Sequence, residues 1–274
     1  MPGLAAVAAA PGPAAAAEAP QPAIVAANLW KRFGPTIAVA GVHLHVPAGS
    51  FFGLVGPNGA GKTTALSMMT GLLRPDAGSV WINGADVWRD PVAVKAAIGV
   101  LPEGLRLFER LSGPELLRYL GRLRKLDRET TEARARELLS VLDLAGADRA
   151  LIVDYSTGMR KKIALAAALL HNPRVLFLDE PFEGVDPVAA RIIRSVLDAY
   201  TRSGSTVVFS SHVLELVESL CDRVAVMSRG QVLASGPVEQ IRAGRSLQDA
   251  FLALVGASAA EGTATLSWLG SSSA

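Results

Sequence analysis

From Ala23 to Val46 apolar and polar positions alternate, first in "AIVAANLW" and then in "TIAVAGVHLHV". Period two sends successive side chains to opposite faces, so this text predicts two strands. Val42, Leu44 and Val46 take one face and His43 and His45 the other, a solvated strand face rather than a metal site. Shorter apolar, β-branched runs follow: "GSFFGLVG", "GSVWING", "AAIGVLP", "RVLFLDE", "STVVFSS" and "DRVAVM". Each predicts a further strand. Between them the period becomes helical, over Ser112 to Leu144, Arg160 to Leu170, Ala189 to Tyr200 and Leu214 to Leu220. Ser112 and Glu115 have capping-box spacing, with Pro114 in the first turn, where proline is tolerated. Ala135, Leu138, Leu139 and Leu142 fall on one apolar stripe, and the basic "RLRKLDR" reads as a solvated helix end. Strands alternating with helices imply an α/β fold, a parallel sheet with helices on its faces.

Composition narrows the picture modestly. At 274 residues, half of them apolar, the chain can bury a large core. A formal charge of +2 is too mild to argue for nucleic acid, and none is expected as a partner. The single Cys221 rules out an internal disulfide and reads as a small buried hydrophobe. No apolar run approaches the ~20 residues that cross a bilayer. Residues 1 to 22, rich in alanine and proline and without a basic start, are expected to be a disordered tail. Residues 257 to 274 are expected to be a second, flexible tail, in which Trp268 and Leu269 leave room for a docked end.

The most informative stretch is "FFGLVGPNGAGKTTALSMMTGLL", where a buried strand runs into glycines and then into an apolar helix. Gly56, Pro57, Asn58, Gly59, Ala60, Gly61, Lys62 and Thr63 fit G-x-x-x-x-G-K-[ST]. Glycines let a backbone wrap closely and turn several N–H groups inward, and a helix start adds its positive dipole end. Such a cradle suits a nucleotide's phosphates. Lys62 then reaches the β- and γ-phosphates, the Thr63 hydroxyl ligates Mg²⁺, and Thr64 contacts the α-phosphate region. "RVLFLDEP" ends a buried strand in Asp179 and Glu180, at the carboxyl edge where open α/β sheets bind ligands. Asp179 is the expected partner of the Mg²⁺, and Glu180 the group that takes a proton from the attacking water or orients it.

The segment just before that acidic strand, "YSTGMRKKIALAAALLHNP", resembles the signature of ATP-binding cassette ATPases, usually written L-S-G-G-Q. Tyr155, Ser156, Thr157, Gly158 and Met159 hold its five places; Ser156 and Gly158 match, and the wording is similar to that of exporter-type cassettes. The resemblance covers about Ile24 to Gly256 and implies further roles. Phe33 in "KRFG" stands where the family stacks an aromatic ring on adenine. Asp186 in "EGVDP" matches the D-loop aspartate, and His212 in "SSH" the switch histidine. Glu103 falls at the Q-loop glutamine, where a carboxylate can still face Mg²⁺ or the water.

For architecture, the resemblance implies a P-loop NTPase domain over residues 23 to 256. It has a parallel sheet core, an N-terminal antiparallel β subdomain and an α-helical subdomain inserted over about residues 104 to 170. For activity, it implies Mg²⁺-dependent ATP hydrolysis. Two cassettes, identical or not, then close on two ATP molecules, and Ser156, Thr157, Gly158 and Asp186 of each meet the nucleotide held by the other. A separate transmembrane permease subunit would carry the substrate, with the cassette peripheral on the cytoplasmic face of the membrane. Leu105 to Ser112 is a plausible docking surface, and "SLQDAFLALVG" resembles the tail of exporter-type cassettes. A cassette ATPase with a non-transport role and a nucleotide-binding regulator without turnover remain the alternatives.

Overall fold

The computed structural model describes residues 22–104 and 106–256. Strands β1 (Pro22–Phe33) and β2 (Thr36–Pro47) pair antiparallel. Then come β3 (Phe51–Val55), α1 (Lys62–Met69) and β4 (Ala77–Ile82). An Asn83-Gly84 turn leads into the short β5 (Ala85–Asp86), as that dipeptide favours. The antiparallel sheet has the order β2-β1-β4-β5. Along β2 the expected alternation holds: Val42, Leu44 and Val46 are buried, while His43 and His45 are exposed.

After α2 (Pro91–Ala97) and β6 (Ile98–Leu101) the chain enters a helical layer of α3 (Gly113–Leu123), α4 (Arg128–Val141) and α5 (Thr157–Leu169). It returns through β7 (Val175–Asp179), α6 (Pro187–Arg202), β8 (Thr206–Ser211), α7 (Leu214–Leu220), β9 (Arg223–Ser228) and β10 (Gln231–Pro237). It ends in α8 (Val238–Arg242) and α9 (Leu247–Val255). The second sheet has the order β10-β9-β3-β8-β7-β6, parallel throughout except for β10. Its parallel strands are buried on both sides, which is why they read as short unbroken apolar runs. Phe51, Val55, Leu176, Leu178, Val207 and Phe209 face a core shared with α3 to α7. Phe52, Leu54, Val175, Phe177 and Val208 face a second core shared with α1 and the antiparallel sheet.

The helical text from Ser112 to Leu144 is two helices, parted within "RLRKLDR" where a helix end was expected: Lys125 adopts a left-handed conformation (φ 57°) after α3, and Asp127 caps α4 by accepting from the Thr130 N–H at 2.7 Å. The capping box itself forms, with the Ser112 N–H donating to Glu115 Oε2 at 2.8 Å. Three expectations elsewhere need correction. In "AAIGVLP" the two alanines close α2, a helix signalled by Asp90 before Pro91, and the strand begins only at Ile98. The signature helix begins at Thr157, three residues before Arg160, because the Ser156 hydroxyl accepts from the Met159 N–H at 3.2 Å. Pro22, assigned to the tail, opens β1. The rest of that tail, Leu105 of the expected docking surface, and residues 257 to 274 with Trp268 and Leu269 lie outside the described residues. Cys221 is partly buried, its sulfur packs where a Cβ on Gly53 would project, and burial pushes its thiol up.

Candidate active site

Strands β3, β8 and β7 lie side by side and end at one edge: Val55 is in register with Ser211, and Asp179 with Ser210. The chain after β3 turns tightly there. A Cβ on Gly56 would sit 2.3 Å from the Met227 carbonyl oxygen, so only glycine fits between the loop and β9. Gly61 caps α1 at φ 99°, and a Cβ there would lie 2.4 Å from the Ala38 carbonyl oxygen. A side chain at Gly61 is therefore excluded by conformation and by space.

The loop forms one wall of a cleft of about 350 Å³. Asn58, Gly59, Ala60, Gly61, Lys62, Thr63 and Thr64 line that wall, Phe33 and residues 36–38 the β-subdomain side, and Glu103 and Glu180 the remainder. Gly56 is buried behind the loop and Pro57 is exposed on it. Phe33 is half exposed, with the Lys31 ammonium 5.7 Å from its ring centroid.

Lys62 is buried, and its ammonium donates to the Gly56 carbonyl at 2.8 Å while standing 3.7 Å from Glu180 Oε1. The same Glu180 oxygen is 3.1 Å from His212 Nδ1, whose ring is partly exposed. Asp179 lies beneath, 5 % exposed, accepting from the Ser210 hydroxyl. Burial raises the Asp179 carboxyl, the hydrogen bonds from Ser210 and Thr63 oppose that, and the Glu103 carboxylate raises it further. The Thr63 hydroxyl donates to Glu103 Oε2 at 3.2 Å. Thr63, Asp179 and Glu103 thus gather oxygen donors at the foot of the cradle, a set that suits Mg²⁺, which takes one or two carboxylates and completes its shell with water and phosphate.

Glu180 is a non-glycine residue in the left-handed region, φ 45°, directly before Pro181, where an extended backbone is preferred. Such a conformation costs about 1–3 kcal/mol and survives only where its surroundings hold it. Two residues that sequence reasoning missed do the holding. The Glu180 N–H donates to Ser210 Oγ at 3.0 Å, and the Lys161 ammonium donates to the Glu180 carbonyl at 2.8 Å. Ser210 carried a usable signal, a polar residue closing a buried apolar strand. Lys161 stands in the basic run Arg160 to Lys162, to which the sequence reading gave no role, although Leu165, one turn on, points to the core.

The signature residues lie away from this cleft. Ser156 caps α5, and Thr157 follows it on the surface. A Cβ on Gly158 would stand 3.1 Å from Asp186 Oδ2, so the start of α5 packs closely on the start of α6. Asp186 caps α6 by accepting from the Val188 and Ala189 N–H groups, bonds that hold its carboxyl below the usual range. None of Ser156, Thr157, Gly158 and Asp186 lines the cleft that holds Lys62.

Among the described residues no helix is long and apolar enough to cross a membrane. Residues 39–183 match the family model described as ABC transporter. The daunorubicin resistance ATP-binding protein DrrA3 of Streptomyces coeruleorubidus is 41 % identical over 213 residues, 78 % of this chain and 67 % of that protein. The linearmycin resistance ATP-binding protein LnrL of Bacillus subtilis is 35 % identical over 77 % of this chain and 68 % of its own length. The chain therefore spans about two thirds of these relatives. A solved ATP binding subunit of an ABC transporter superposes with a TM-score of 0.79 at 28 % identity, covering 84 % of this chain and 98 % of that one. With a phosphate cradle, two acids at the sheet edge and a family match over more than half its length, the chain belongs to the ABC transporter family as an ATP-binding, ATP-hydrolysing subunit.

Proposed function

We propose that this chain powers export through a separate membrane subunit by closing on a second cassette around MgATP. The observation that carries this reading is the convergence on one cleft of the glycine loop, Lys62 and Glu180, with Asp179 buried beneath beside Ser210. In it, the N–H groups of residues 58–64 and the Lys62 ammonium hold the phosphates, and Phe33 offers its exposed face to the base. Thr63, Asp179 and Glu103 hold Mg²⁺, which supplies charge neutralisation on the phosphates. Glu180 accepts a proton from the attacking water or orients it, and His212 steadies Glu180 and reaches towards the γ-phosphate.

Ser156, Thr157, Gly158 and Asp186 lie off their own chain's cleft, which supports a role at the nucleotide held by a second cassette. The exposed Phe108 and Tyr119, packed edge to face at 5.2 Å beside Arg106 and Arg110, form a shallow apolar depression suited to a segment of the membrane subunit. Outward transport is supported by relatives named for resistance to daunorubicin and linearmycin, since resistance follows from removing a toxic compound. The chain would then sit at the cytoplasmic face of the membrane.

Two measurements test the reading. Tagged chain purified from detergent-solubilised membranes should bring a multi-span membrane protein with it; recovery without one, in a host carrying the neighbouring genes, argues for a non-transport ATPase. Glu180→Gln should keep MgATP binding, lose about 10²–10⁴-fold in turnover and accumulate as a dimer on size exclusion. Normal hydrolysis by that variant removes Glu180 from the role of base.

A further inference from the structure

The Lys161 ammonium is nearly dry, on a helix whose start is the signature segment. Burial pulls it below the usual lysine value, while the carboxylates of Glu183, Asp179, Glu180 and Glu103 pull it back up. A cation held in so dry a place needs a specific partner, since an unpaired buried charge is costly. Its partner is the backbone carbonyl of Glu180, at 2.8 Å, and not one of the four acids. On the other side of the same residue, the Glu180 N–H donates to Ser210 Oγ at 3.0 Å. The two bonds grip the peptide groups flanking the Glu180 Cα, and those peptide planes decide where the side chain leaves the backbone.

We infer that Lys161, together with Ser210, is a positioning clamp that fixes Glu180 in its left-handed conformation and so aims the carboxylate into the cleft; this rests on the reading of Glu180 as the group that prepares the water. The neighbouring lysine shows that burial alone does not specify the contact. Lys162 is equally buried, yet it donates to the Asp143 carbonyl at 3.1 Å, beyond the end of α4 and away from the sheet edge. Without the clamp, φ of Glu180 relaxes to a negative value, as the following Pro181 favours, and the carboxylate leaves His212 and Lys62. Lys161 touches neither nucleotide nor water in this scheme. It acts through Glu180, so its loss lowers the rate of the chemical step and spares nucleotide binding.

Steady-state Mg²⁺-ATPase kinetics of the full chain, or of its complex with the membrane subunit if turnover requires it, test this. Lys161→Met fills the same space without a donor and should lower kcat tenfold or more, with KM for ATP within about twofold of wild type. Lys161→Gln keeps an N–H donor on a shorter stem and should recover at least a third of the wild-type kcat. In a Glu180→Gln background Lys161→Met should change the residual rate by less than twofold, because the two residues act as one unit. A wild-type kcat in Lys161→Met overturns the clamp, as does an equal loss in Lys161→Gln or a further full loss in the Glu180→Gln background. Should Lys161→Met not fold, Ser210→Ala releases the other side of the same residue and must show the same kcat-selective loss; a wild-type kcat there also overturns it. A normal rate in Glu180→Gln alone instead refutes the role of Glu180, which separates the two failures.

Discussion

Replacing Lys62 by methionine keeps most of the side chain's apolar length and removes only the ammonium. That ammonium donates to the Gly56 carbonyl at 2.8 Å, stands 3.4 Å from the Pro57 carbonyl and 3.7 Å from Glu180, and is almost fully buried. To engage phosphate it exchanges these loop carbonyls, bonds in which only the donor is ionised, for bonds in which both partners are ionised, a gain of about 0.5–2 kcal/mol each. With two phosphate oxygens engaged, the difference is roughly 1–4 kcal/mol, and a central value near 2 weakens the nucleotide about 30-fold. Calorimetric titration with MgATP at fixed free Mg²⁺ and ionic strength reads this directly, since screening alters any charge-dependent affinity. Lys62→Arg should not restore binding, because a planar fork does not reproduce a point charge inside a tight loop. A Kd for Lys62→Met within threefold of wild type would refute the cradle as described.

Two further outcomes follow from the packing and the charges. Phe209 is fully buried and meets Phe51 and Phe182 edge to face at 5.6 and 6.1 Å, so Phe209→Ala should cost about 3–5 kcal/mol, or roughly 6–20 °C in Tm. A loss under 1 kcal/mol in urea unfolding would show that this contact between sheet and active-site segment is loose. Asp179, whose carboxyl is raised by burial, favours folding below its unfolded value of ~3.9, and that contribution is lost as pH rises through the folded value. Without nucleotide or Mg²⁺, Asp179→Asn should therefore melt above wild type at pH 7.5, with the gap closing towards pH 4, while hydrolysis is abolished. A variant that melts below wild type at pH 7.5 contradicts the sign.

Local chemistry was legible in the text where one residue type had one use. The glycine loop, the acids closing "RVLFLDE" and the capping box at Ser112 each follow from a short-range rule, and the strands of the parallel sheet announced themselves as unbroken apolar runs because both their faces are covered. Strand order was not legible. Nothing local says that β8 lies between β3 and β7, yet that insertion brings Ser210 beside Asp179 and Glu180. The break between α3 and α4 was legible as the basic helix end "RLRKLDR", but the residue that makes the turn was not, because Lys125 has no residue-type signature for a left-handed conformation. Lys161 was missed for a related reason: a lysine buried by its helical phase looks the same in sequence as one exposed by it.

The charges around the cleft give Glu103 a physical setting. Asp179, Glu180, Glu103 and Glu183 gather about the ammoniums of Lys62 and Lys161, leaving two carboxylates in excess before any phosphate arrives. A glutamine at residue 103 would leave one. With glutamate, a polyanion entering alone meets repulsion from below and attraction only from Lys62 and the loop N–H groups. A divalent cation held by Thr63, Asp179 and Glu103 would offset that excess, because it would bring two positive charges to those acids. The extra carboxylate would therefore make phosphate binding more dependent on the accompanying metal. A substitution that looks unfavourable beside phosphate alone becomes favourable once the ligand is taken to be the metal–nucleotide pair.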